Sequence, residues 1–100
     1  MTDIIRIDDH HAGIQGDLLL TTVSDLLVEG NRLLASSGGQ WNVSLAGVGK
    51  VSSAGVALLL EWMRSAAAAG VVYTITDLPE HMKPIMSISD LEPLFEPVLA

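Results

Sequence analysis

Val48-Gly49-Lys50-Val51-Ser52-Ser53-Ala54-Gly55 is the stretch on which the fold turns. Ahead of it, Trp41-Asn42-Val43-Ser44-Leu45-Ala46 alternates with a strand's period of two. Behind it, apolar residues recur at helical spacing over positions 56–69. The expectation is a strand, a Gly-rich turn, and a helix whose N-terminal end carries two hydroxyls. Ser53 is the natural N-cap in this reading. Its Oγ would accept from the backbone N–H of Gly55 or Val56, donors that a helix start leaves unpaired.

At 100° per residue, Gly55, Val56, Leu58, Leu59, Leu60, Trp62, Met63, Ala66 and Ala67 fill a wide arc that must face a core. Ser53, Ala54, Ala57, Glu61, Arg64, Ser65 and Ala68 fill the rest, with Leu58 and Trp62 along one edge. A low, weakly charged strip beside an aromatic rim has the character of a docking surface. The same alanines also suit a helix through propensity alone, and both readings stand on the residues.

Working outward, positions 4–7 read as a short strand, Asp8-Asp9-His10-His11 as a polar turn, and positions 12–15 as a returning strand. Adjacent strand residues point to opposite faces, so His10 and His11 should diverge, and no third ligand at recognisable spacing supports a metal site. Val23, Leu26, Leu27, Gly30, Leu33 and Leu34 form a helical apolar stripe. Thr22 is its candidate N-cap, and Asp25 suits the positive helix end. Ser36-Ser37-Gly38-Gly39 is a stop signal. Gly70 stands where a C-terminal glycine belongs, before a strand over 71–76 and a last helix over 80–89 that starts late or bends because of Pro84. Leu91, Leu94 and Phe95 are expected to plug the core, and this tail could supply an apolar anchor for a partner. The order is β-β-α-β-α-β-α: one α/β domain over residues 1–100, a mixed sheet of about four strands with helices mainly on one face.

Nearly half of the 100 residues are apolar, enough for one core. There is no Cys, which excludes disulfides and thiolate chemistry. The formal charge is −7 with five Lys plus Arg, so non-specific nucleic-acid binding lacks its basic patch and an anionic membrane would repel the chain. A neutral or basic protein is the expected partner. The start lacks a signal-peptide pattern, no run is long enough to span a membrane, and the expected compartment is the cytoplasm. No cofactor is expected.

Nucleotide motifs fail on spacing. A phosphate loop would need Gly where Ser44 stands and a hydroxyl where Val51 stands; a dinucleotide fingerprint would need Gly at Ser52. No G-x-S-x-G elbow exists, so a nucleophilic Ser53 would need His10, His11 or His81 to be brought to it by the fold. No catalytic residue is therefore expected.

Val51-Ser52-Ser53-Ala54-Gly55-Val56-Ala57-Leu58-Leu59-Leu60 resembles the D-[ST]-[SG]-G-L-x-x-L signature of STAS domains, the fold of anti-sigma-factor antagonists. Gly16-Asp17-Leu18 is similar to that family's G-E-L, and the element order agrees over nearly the whole chain. Within the family, the helix start looks most like the stand-alone STAS subunits of the Mla phospholipid transport system, the MlaB group. That resemblance implies a non-enzymatic subunit that binds the cytoplasmic ATPase (MlaF-like) of an ABC transporter, in a complex with a membrane permease. It implies a place peripheral to the inner membrane and a role in outer-membrane lipid asymmetry. The implied contact is Ser52, Ser53, Ala54, Ala57, Leu58 and Glu61. The family's regulatory Ser/Thr falls on Ser53, a possible phosphorylation site. Ser52 replaces the usual acid and Ala54 a Ser or Gly, which weakens the switch and leaves docking intact. The alternative is an anti-sigma-factor antagonist switched by phosphorylation at Ser53.

Overall fold

The computed structural model describes residues 2–88 and 90–99. Strands β1 (Asp3–Asp8), β2 (His11–Leu18), β3 (Gln40–Val51) and β4 (Val72–Thr76) form one sheet in the order β1-β2-β3-β4. β1 runs antiparallel to β2, whereas β2–β3 and β3–β4 are parallel. Parallel neighbours need long crossovers, and helices α1 (Val23–Ala35) and α2 (Ser53–Ala69) supply them. The architecture is the mixed α/β sheet that the residue pattern implies.

Alternation decides which face is covered. Ala12, Ile14, Trp41, Val43, Leu45, Tyr73 and Ile75 are buried, while His11, Gln15, Asn42, Ser44, Thr74 and Thr76 between them are exposed or half-buried. The buried face packs under α1 and α2 into a single core cluster. The Trp41 ring meets Trp62 edge-on with centroids 5.2 Å apart, and Tyr73 stacks on its other side at 5.9 Å. The helices also grip each other. A Cβ on Gly30 would come within 2.3 Å of the Trp62 ring atoms, so only glycine admits the indole there. The Trp62 Nε1–H donates to the Leu27 carbonyl at 3.4 Å.

Three expectations are corrected. β3 does not stop at Ala46: it runs on to Val51, because Gln15, Gly16 and Leu18 pair with Gly47, Val48 and Val51 across two register shifts. Gly47 and Gly49, which look like a turn, are thus strand residues, the first where the two backbones come close and the second beside the Asp17 carboxylate. Leu58 and Trp62 form no exposed rim, since both are buried beneath α1. Thr22 precedes α1 without capping it: its Oγ1 donates to the Asp17 carbonyl at 2.9 Å and accepts from Leu19 N at 3.0 Å.

Gly70 closes α2 with φ 70°, the left-handed conformation expected of it. The expected last helix divides into a 3-10 turn (Glu80–Met82) and α3 (Lys83–Ile88), with Pro84 in the first turn, where it needs no N–H partner. Ser89, its expected last residue, lies outside the described residues. A short α4 (Glu92–Phe95) follows and buries Phe95 in the core. Leu91 is half-buried, but Leu94 is 54 % exposed and plugs nothing. Phe95, being buried, is not free to anchor a partner.

Candidate partner-docking site

The site is built from the end of β2 upward. Leu18 is the last residue of β2, and its carbonyl accepts from Ser52 N at 2.9 Å. That bond ends β3 and fixes where α2 begins. Ser52 is extended, with φ −111° and ψ 177°, and its Oγ accepts from Ala54 N at 3.2 Å. Ser52, not Ser53, is therefore the N-cap. The physical reason is register: β3 stays paired to Val51, so the one non-helical residue between strand and helix is Ser52.

Ser53 is left as the first helical residue, exposed, with no side-chain hydrogen bond among the described residues. Ala57, one turn on, is exposed; Ala54 and Glu61 are half-buried. Glu61 holds an ion pair with Arg64 at 2.7 Å. Leu58 is only 3 % exposed and can offer a partner no more than the floor of a depression.

Neighbouring elements hold this helix start in place. The Asp17 carboxylate accepts from Lys50 N at 2.8 Å. The Asp17 carbonyl accepts from Thr22 Oγ1 at 2.9 Å and from Thr2 Oγ1 at 2.7 Å. On the far side, His81 Nε2 donates to the Gly49 carbonyl at 2.6 Å. The strand end before Ser53 is thus tied both to β2 and to the turn before α3. A rigid platform gives up little entropy when a partner lands on it.

The three histidines are engaged elsewhere. His81 is occupied with Gly49, and His10 Nδ1 lies 2.6 Å from the Ser37 carbonyl. His11 Nδ1 lies 2.8 Å from Asp8 Oδ1 while its Nε2 faces Asn42 Nδ2 at 3.4 Å. The hydrogen bond from His11 holds the Asp8 carboxyl below its ordinary range. Among the described residues no three His, Asp or Glu side chains gather as a metal site, and no helix is long and apolar enough to cross a membrane.

The sequence reading did not find the other wall of the site. Leu20, Val23 and Leu27 face Ala54, Ala57 and Leu58 across a trough of about 290 Å³ between α1 and α2, with Ser24 and Glu61 also lining it. Leu20, the third leucine of a run just before α1, is 78 % exposed. A leucine that no strand or helix periodicity claims was the available signal.

The family model described as MlaB, STAS domain, matches residues 6–96. The chain belongs to the STAS domain family, in its MlaB-type branch. No curated protein matches it. Among solved structures, unphosphorylated SpoIIAA, an anti-sigma factor antagonist, superposes with a TM-score of 0.70 at 14 % identity, covering 100 % of this chain and 87 % of its own. A Thermotoga maritima protein assigned as an anti-sigma factor antagonist gives 0.72 at 13 %, covering 94 % and 82 %. Phosphorylated SpoIIAA of Bacillus gives 0.64 at 17 %, covering 100 % and 89 %. These likenesses establish the STAS fold, and through it a similarity to anti-sigma-factor antagonists in architecture.

Proposed function

We propose that this MlaB-type STAS domain is a non-catalytic accessory subunit that docks on the cytoplasmic ATPase of an ABC-type phospholipid transporter. Ser53 and Ala57 would lie at the centre of the contact. The observation that carries the reading is the uncommitted Ser53 hydroxyl at an exposed, neutral helix start. Because Ser52 does the capping, nothing in the fold requires Ser53 to be a serine. A small neutral surface of this kind loses little hydration on contact and tolerates close packing. The MlaB-type family match supplies the class of partner. The histidines' other engagements disfavour a serine nucleophile, which needs an adjacent base.

One observation favours a second reading, an anti-sigma-factor antagonist switched at Ser53. The hydroxyl sits on the first turn of a 17-residue helix, where a phosphate's charge meets the positive dipole end. Such a phosphate would be compatible with the fold and hostile to a packed neutral interface. Affinity purification from the native host, with mass spectrometry, separates the two. Recovery of a transporter ATPase together with its permease is expected. Recovery of an anti-sigma kinase without them would replace the first reading with the second.

A further inference from the structure

The trough between α1 and α2 is a second feature that the fold leaves unfilled. Its walls are aliphatic, its floor is Leu58, and Leu20 stands at one end almost fully exposed. Val28, one turn beyond Ser24 on α1, is 71 % exposed and continues the apolar strip. A monomer gains nothing from keeping such side chains in water. At about 290 Å³ the trough falls at the small end of the range for ligand pockets, and it is open rather than enclosed. It suits a row of side chains better than a lipid or a cofactor. A groove between two packed helices receives the ridge of a third helix naturally.

Charge selects what that helix carries. Four of the five Lys and Arg residues are tied to the chain's own acids three positions away: Arg6 to Asp9, Arg32 to Glu29, Arg64 to Glu61 and Lys83 to Glu80. With 12 Asp plus Glu in all, the unpaired surface charge is acidic, and the ionisable residue lining the trough itself is Glu61. A second copy of this chain would bring the same sign and be repelled. We propose that the trough seats the apolar ridge of an amphipathic helix from a partner protein, with Lys or Arg flanking that ridge. The proposal rests on the docking reading for the existence of a partner, and adds which part of that partner is held and by which wall of the site.

The test uses the full chain and two synthetic helical peptides with one leucine ridge, the first flanked by Lys and Arg, its twin by Glu. Anisotropy titrations are paired with methyl NMR of this protein. The basic peptide should bind, weaken as salt rises, and shift the methyls of Leu20, Val23 and Leu27. The acidic twin should bind at least about tenfold more weakly. Leu20→Ser and Ala57→Arg alter exposed walls and should each weaken the basic peptide about tenfold while the melting temperature holds. Equal binding of both peptides, shifts clustered elsewhere, or unchanged binding by both variants would overturn the proposal. So would self-association at high concentration that Leu20→Ser abolishes, which would make a second copy the occupant. If the partner recovered from the host binds both variants normally yet fails with Ser53→Glu, docking stands and the trough does not take part.

Discussion

Two adjacent serines do different work. Ser52 accepts the Ala54 N–H and terminates β3, whereas Ser53 projects outward without a partner among the described residues. Ser52→Ala should therefore cost about 1 kcal/mol in urea denaturation, and Ser53→Ala only a few tenths. The reverse order would show that the helix begins one residue later than described. The sequence displayed both hydroxyls and the helix they precede. It could not display which one caps, because that depends on how far β3 remains paired with β2, a tertiary matter settled by Leu18 and Val51. The hydroxyl least needed for stability is thus the exposed one.

At the scale of elements, α1 and α2 form one unit, held where the Trp62 indole lies against Gly30 and donates to Leu27. Gly30→Ala adds a methyl where the ring already sits. Helix propensity would favour that change by about 1 kcal/mol, but overpacking costs about 1–3 kcal/mol, so net destabilisation is expected. A denaturation midpoint at or above that of the wild type would show that Trp62 is free to move aside. The helical stripes of both elements were legible from spacing alone, since each buries one face. The trough beside this contact was not, because it depends on the distance between two helices, and Gly30 sets that distance only once Trp62 is known to face it. The extent of β3 was hidden for a related reason. Gly47 and Gly49 carry a turn's composition, yet Gly47 lets β3 approach the β2 backbone at Ile14 and Gly49 leaves room for the Asp17 carboxylate.

For the molecule as a whole, one sheet with one covered face gives one core, and Tyr73 stands in it with its hydroxyl donating to the Leu59 carbonyl at 3.3 Å. Burial pushes the phenol's ionisation well above its ordinary 10.0. A raised folded-state value gives stability that is complete below the unfolded pKa and lost as pH climbs beyond it. Stability should accordingly decline above pH ~10. Tyr73→Phe should start lower by about 1 kcal/mol, through the lost hydrogen bond, yet show a flatter alkaline limb. Equal alkaline slopes would mean that the phenol is not the group responsible. The −7 charge acts at this scale too, since it discourages self-association and speeds encounter with a basic partner. The element order and the covered face could both be inferred from residues, because each follows from local periodicity. The most direct check on the docking reading is a calorimetric titration of the transporter ATPase with wild type and Ser53→Glu, beside thermal melts of both. Affinity should fall at least about tenfold while the melting temperature stays nearly fixed. Unchanged affinity, or a loss of affinity matched by a collapse in melting temperature, would contradict a neutral landing surface at Ser53.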